Sequence, residues 1–317
     1  MSWELSKGFK INEIKILKSG VLKNFEINFL DNKNNILPIT VIAGINGTGK
    51  TTILEYIHKF YTHTDNILYL PANYSTELKL IEVHLIKLVK RYIFKLNYTP
   101  FHAYKEVSSM INNIFVNFDL KISFSSLDEE EKVYFENKKG ESFPINQLST
   151  GEKTLLLKIL SLYLLEVKNS VILIDEPELS LHPNWQNRIL DIYERFAIEN
   201  NNQIIIATHS PHIVGSAKTD SLRVLYFEEN EVKVVKDFTE GYGLEVNQIL
   251  TKVMNIDSLR TPDVDILFSK VKTLIIENNY QNKEFEAIWK KLEIYLGKNN
   301  IDLKLLKLEI DRREKNV

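Results

Sequence analysis

Hydrophobic positions along this chain follow two rhythms. Residues 11–29 alternate apolar with polar in two short stretches, INEIKIL and LKNFEINF, split by Ser19-Gly20, which predicts an antiparallel hairpin. After a polar turn at residues 31–35, residues 37–43 form a continuous apolar run of the kind that makes a buried strand, and residues 67–70, stopped by Pro71, predict another. From Thr76 the period lengthens: Ile81, Leu85, Leu88, Tyr92 and Leu96 fall three or four apart, and a second helix is expected over residues 104–115. Alternation returns at residues 121–124 and 132–135, with a turn at residues 138–140 before Phe143. An apolar helix over residues 155–165 leads to a strand at residues 171–174, and residues 203–208, 223–227 and 232–235 continue the same sheet. Beyond about Leu244 the pattern is helical, with stripes Leu267, Val271, Leu274 and Ile275, then Phe285, Ile288, Trp289, Leu292 and Tyr295, then Leu303, Leu306 and Ile310. The expectation is an α/β fold: a mixed sheet with N-terminal antiparallel strands and flanking helices over residues 1–243, a helical insert at about 76–118, and a helical region over residues 244–317.

Composition narrows the field. With 317 residues, 44% of them apolar, the chain can bury a large core, and no apolar run approaches the length of a membrane span. The opening residues lack the order of a secretory signal, so a cytoplasmic protein without membrane contact is expected. Zero cysteines exclude disulfides, thiolate catalysis and Cys-ligated metal centres. A net charge of −2 leaves any DNA or RNA contact to a local patch. One such candidate, Lys87, Lys90, Arg91, Lys95 and Lys105, is more simply the solvated side of amphipathic helices.

Chemistry concentrates where apolar runs end. The first run passes into Gly44-Ile45-Asn46-Gly47-Thr48-Gly49-Lys50-Thr51-Thr52, the spacing of a phosphate-binding loop between a strand and a helix. The glycines allow backbone N–H groups to face a phosphate, Lys50 reaches the outer phosphates, and the Thr51 hydroxyl suits Mg²⁺. A second stretch, Leu148-Ser149-Thr150-Gly151-Glu152-Lys153, sits at a helix start, where Ser149 and Gly151 either meet an external phosphate or, with Glu152, form a capping box. The strand at 171–174 runs into Asp175-Glu176-Pro177, placing a metal-holding Asp175 and a water-activating Glu176 at a strand's carboxyl end. His209, after the strand at 203–208, can address the outer phosphate or the attacking water.

In this order the motifs resemble an ABC-type P-loop ATPase head. The wording Asp175-Glu176-Pro177-Glu178, Leu181-His182-Pro183 and Ala207-Thr208-His209-Ser210-Pro211 resembles the SMC, RecF and OLD branch rather than transporter subunits, over about residues 8–235. The resemblance implies ATP and Mg²⁺ as ligands and a homodimer in which two heads enclose ATP. Ser149, Gly151 and Glu152 of one head would complete the other's site, residues 180–182 would lie at the seam, and His209 would be the switch histidine. Residues 53–146 contain no glutamine for the usual Q-loop position, and Asn73 is a candidate substitute. Asp257, Asp263 and Asp265 read as charges around a helix start at Pro262 rather than as a metal site. The Leu259-Arg260-Thr261-Pro262 segment and helical tail resemble stand-alone ATPases of anti-phage operons of the PtuA kind, found in Septu and retron systems, which work with an HNH nuclease. A RecF-like repair ATPase, a low-turnover scaffold and a transport ATPase are the alternatives.

Overall fold

The alternating N-terminal stretch forms its hairpin in a computed structural model that describes residues 8–64, 66–72, 78–164, 166–236, 243–254, 256 and 258–315. Strand β1 (Glu13–Ser19) pairs antiparallel with β2 (Leu22–Asn28) as a separate two-stranded sheet rather than as part of the main one. The reason is its one-sided pattern: Ile14, Ile16, Leu22, Phe25 and Ile27 enter the core, while the intervening Lys and Glu residues stay in solvent. The next strand, β3 (Ile39–Gly44), is buried along its whole length and feeds α1 (Lys50–Phe60), whose Ile53, Leu54 and Ile57 join the hairpin's core cluster.

Between the first motif and the rest come β4 (Ile67–Leu70), α2 (Leu78–Leu96), α3 (Pro100–Ile114) and an antiparallel sheet of β5 (Ile122–Leu127), β6 (Val133–Asn137) and β7 (Ser142–Pro144). Ile81, Leu85 and Val89 are the buried residues of α2, whereas Leu96, expected on that stripe, is exposed where the helix ends. Thr99 and Pro100 start α3 four residues before the expected Tyr104, Thr99 accepting from the His102 N–H as an N-cap. Tyr104 of α3 then meets Phe124 of β5 edge-on at 6.0 Å. The apolar helix after Ser149 is not uniform: α4 (Thr150–Leu155) passes through a π-helical turn, Leu156–Leu160, before α5 (Ser161–Leu164).

The main sheet is completed by β8 (Val171–Asp175), followed by the short α6 (Pro183–Gln186) and α7 (Ile189–Glu199). Then come β9 (Gln203–Thr208), α8 (Pro211–Ser216), β10 (Leu222–Glu228) and β11 (Glu231–Val235). Its six strands run in the order β11-β10-β3-β9-β8-β4, all neighbours parallel except β10 and β11. In register, Ala43 lies opposite Thr208 and Asp175 opposite Ala207, so β3, β8 and β9 finish together. Parallel strands covered on both faces must be apolar on both faces, which is why VILID and QIIIAT read as unbroken aliphatic runs.

The chain divides into two compact units, Met1–Met254 and Asn255–Val317. The division falls after the expected 243/244 boundary because α9 (Val246–Gln248) and the π-helical turn Ile249–Val253 belong to the first unit, Ile249 being wholly buried near Gly215 of α8. The second unit holds α10 (Pro262–Ile276), α11 (Lys283–Leu296) and α12 (Ile301–Lys315) around its own cluster of Phe268, Val271, Ile275, Phe285, Ile288, Leu292 and Leu303. Phe268 joins this cluster with the Arg260 guanidinium 4.3 Å above its ring, while Tyr295, expected on the α11 stripe, is exposed. Asp263 and Asp265 lie in the first turn of α10. Asp257 and Asn73 lie outside the described residues.

Candidate functional site

At the carboxyl end of β3 the backbone takes a conformation open to glycine. Gly44 has φ 150°, and a Cβ there would stand 2.7 Å from the Leu225 carbonyl oxygen. Gly49, at φ 87°, caps α1 where a side chain would collide with Leu22. Between them, Asn46 and Gly47 are exposed at the loop's tip, while Thr48 is buried and its hydroxyl donates to the Ile45 carbonyl at 2.9 Å. Lys50, the first residue of α1, is 93% out of contact with solvent, being 7% exposed. Its Nζ donates to the Gly44 and Ile45 carbonyls at 2.8 and 3.0 Å, so the loop's own oxygens hold the ammonium inside the cradle. Burial pushes this ammonium's pKa down, against the pull of Glu176, Asp175 and Glu178. Thr52 is half-buried one residue further along α1.

Thr51 and Asp175, 124 residues apart in sequence, meet directly: Thr51 Oγ1 donates to Asp175 Oδ2 at 2.9 Å. The other carboxylate oxygen, Oδ1, is buried without a hydrogen-bond partner among the described residues. Burial is the main reason the Asp175 carboxyl is pushed above its ordinary range, opposed first by the Thr51 hydrogen bond. Glu176 follows in the left-handed region at φ 45°, a conformation costing a non-glycine residue about 1–3 kcal/mol. Two backbone bonds brace it: its N–H donates to the Ala207 carbonyl at 2.8 Å, and its own carbonyl accepts from Leu179 at 3.3 Å. Its Oε1 lies 3.1 Å from His209 Nδ1.

Glu178 fixes the loop that carries this histidine. Its buried Oε1 accepts from Thr208 Oγ1 at 2.6 Å and from the backbone N–H groups of His209 and Ser210, both at 3.1 Å. Ser210 in turn donates to Gln186 Oε1 at 2.7 Å, and Gln186 Nε2 donates to the Leu181 carbonyl at 2.9 Å. The turn at residues 180–182 is thereby tied to the loop of His209. Beneath the acids lies Lys158, 5% exposed, whose Nζ donates to the Glu176 carbonyl at 2.8 Å. Burial pushes the Lys158 ammonium down, countered by Glu178, Glu176 and Asp175.

The Ser149 stretch takes the capping-box form. Ser149 Oγ and N donate to Glu152 Oε2 at 2.6 and 2.9 Å, and the Glu152 N–H donates to Ser149 Oγ at 3.3 Å. Ser149 remains exposed. Gly151 packs against the 180–182 turn, since a Cβ there would come within 3.2 Å of Trp185 and 3.4 Å of the Ser180 carbonyl.

Comparisons with known proteins find relatives over part of the chain. The sequence family described as "AAA domain, putative AbiEii toxin, Type IV TA system" matches residues 82–215. The Septu protein PtuA of Bacillus thuringiensis is 35% identical over 144 residues, 44% of this chain and 35% of that one. The retron Ec83 probable ATPase of Escherichia coli is 27% identical over 259 residues, 76% of this chain and 45% of that one. The match thus spans less than half the length of either relative. Among solved structures, the SMC head domain from Thermotoga maritima superposes with a TM-score of 0.45 and 15% identity, covering 73% of this chain and all of that one. Over these partial matches the chain is similar in sequence to PtuA and the retron ATPases.

Residues to which the motifs assign no role matter to this site. Lys158, Glu178 and Gln186 carry no role in the motif reading, yet each holds part of the site. The one signal for Lys158 was its position: Leu155, Lys158, Ile159 and Leu162 share a helical face, and a lysine on an otherwise apolar stripe is out of place. The basic stripe of α2 is partly neutralised, Lys90 pairing with Glu131 and Arg91 with Glu166. Among the described residues no group of three or more His, Asp or Glu is placed to hold a metal, and no helix is long and apolar enough to cross a membrane.

Proposed function

We propose that the head binds and hydrolyses Mg-ATP, and that ATP draws two heads together to gate a separately encoded effector. The observation that carries this reading is one cluster in which Thr51 reaches Asp175 at 2.9 Å and Glu176 lies 3.1 Å from His209, at the mouth of the loop that holds Lys50. The backbone of residues 44–49 and the N-terminal end of α1 cradle the phosphates, and Lys50 exchanges its two carbonyl contacts for phosphate oxygens. The donor set fits Mg²⁺, which characteristically takes one or two protein oxygens and leaves the rest to phosphates and water. Thr51 Oγ1 and Asp175 would hold it, the unpartnered Asp175 Oδ1 being one oxygen such an ion would satisfy. When bound, Mg²⁺ neutralises charge on the outer phosphates. Glu176 would accept the proton of the attacking water, and His209, 3.1 Å from its carboxylate, would steady it and serve the outer phosphate.

Ser149, Gly151 and Glu152 support the pairing half of the proposal. They stand at a surface-exposed helix start, Gly151 packed against the 180–182 turn, and in a homodimer would face the partner head's ATP. The proposal extends to a cytoplasmic role in anti-phage defence with a separately encoded nuclease of the HNH type as the gated effector; similarity to the Septu protein PtuA and the retron ATPases supports its defence part.

The test is Glu176→Gln. It is expected to keep Mg-ATP affinity, lower hydrolysis by about 10²–10⁴-fold, and accumulate as a dimer by light scattering only when Mg-ATP is present. Hydrolysis at the parent rate would remove Glu176 from the mechanism. A mass unchanged by ATP would remove ATP-driven pairing.

A further inference from the structure

The strained backbone of Glu176 needs something to hold it, and the hydrogen bonds identify what does. Directly after the last residue of β8, Glu176 turns into the left-handed region at φ 45°, and from there its carboxylate lies 3.1 Å from His209 Nδ1. Its N–H is tied to β9, and its carbonyl turns back into the protein, where Lys158 Nζ donates to it at 2.8 Å. Lys158 reaches this point from the π-helical turn Leu156–Leu160, among the buried residues Leu156, Ile159 and Leu160, directly after the helix that begins at Ser149. A lysine on a buried stripe is expensive to keep unless its charge is used. Here the charge lies behind three carboxylates, Asp175, Glu176 and Glu178, of which Asp175 and Glu178 are also buried.

We infer that Lys158 is a positioning residue for hydrolysis: its ammonium holds the Glu176 carbonyl and so fixes the left-handed turn that aims the Glu176 carboxylate at His209 and the attacking water. Lys158 does not touch nucleotide; it acts through Glu176. The inference rests on the ATPase reading above and adds a residue from outside every recognised motif. It also joins the Ser149 helix to the catalytic glutamate through a single side chain, because Lys158 follows Ser149 on one continuous helical stretch.

The test compares the full chain with Lys158→Met, Glu176→Gln and the double variant. The measurements are steady-state hydrolysis of Mg-ATP, affinity for a fluorescent ATP analogue, and thermal melting. Lys158→Met keeps length and apolar bulk but removes the donor. It is expected to leave KM and analogue affinity near parental values and to lower kcat by about 10²-fold, the scale of an ångström-sized misplacement of a reacting group. Added to Glu176→Gln, it is expected to cause no further loss, because the group it positions is already disabled. Parental kcat in folded Lys158→Met, or a loss that multiplies with that of Glu176→Gln, overturns the inference. If Lys158→Met melts below the assay temperature, Lys158→Leu, which also lacks a donor, takes its place, with the same kcat loss and the same double-variant comparison deciding. Failure of the parent to hydrolyse Mg-ATP would instead defeat the ATPase reading, so the two failures are distinguishable.

Discussion

Asp175 shows how one residue can set stability against function. Burial holds its carboxyl above the ordinary range, so the folded protein keeps that proton to higher pH than the unfolded chain does. Below the unfolded value both states are neutral and the position costs nothing. As pH rises through the folded value the buried carboxylate forms and stability is lost. Asp175→Asn retains an acceptor for Thr51 without the charge. The nucleotide-free variant is therefore expected to melt higher than the parent at neutral pH, with the gain fading as pH falls through the carboxylate range. In saturating Mg-ATP the order should reverse, because the parent gains about 2.7 kcal/mol at a hundred times Kd and the variant, lacking the metal-holding charge, gains less. Melting curves across pH, with and without Mg-ATP, measure both effects; a gain independent of pH would assign it to packing. Lys50 is the complementary case, an ammonium kept buried by two loop carbonyls that a phosphate can replace.

At the scale of elements, the site depends on three strand ends finishing in register. Ile174 faces Ile206 and Asp175 faces Ala207 across β8 and β9, while Ala43 of β3 faces Thr208, so the glycine-rich loop after β3, the acids and His209 emerge side by side. Leu173, wholly buried in β8, is a fair measure of what that sheet contributes. Leu173→Ala is expected to cost about 2–5 kcal/mol, read as a lower guanidinium midpoint with unchanged slope. These strands were legible in the sequence because burial on both faces forces unbroken aliphatic runs. The π-helical turn at Leu156–Leu160 was not, since an apolar helix with one extra residue in a turn keeps much the same composition. The separateness of the β1–β2 hairpin was equally hidden: alternation states that one face is buried, not which sheet the strands join.

The chain divides into two compact units, Met1–Met254 and Asn255–Val317, each with its own hydrophobic cluster. Proposed pairing of two heads makes Ser149 the informative surface position, exposed yet next to Gly151 and the 180–182 turn. Ser149→Arg removes the N-cap hydroxyl, at about 0.5–2 kcal/mol. It is expected to leave Mg-ATP affinity unchanged. In a Glu176→Gln background it should abolish the ATP-dependent mass shift in light scattering. A dimer of undiminished strength would mean that this helix start does not face a second head.

The sequence by itself determined the glycine-rich loop between a strand and a helix, the acids at the end of a buried strand and the order of the motifs, because glycine, lysine and paired carboxylates at fixed spacing are local features of the chain. It also determined the parallel sheet, through the aliphatic runs that two-sided burial demands. Only the tertiary structure decided which polar residues serve the acids. Glu178 clasps the His209 loop, Gln186 links that loop to the 180–182 turn, and Lys158 reaches the Glu176 carbonyl. Such contacts join residues 5 to 32 positions apart with no fixed spacing, and they exist only once the strands lie in register and bring their ends together.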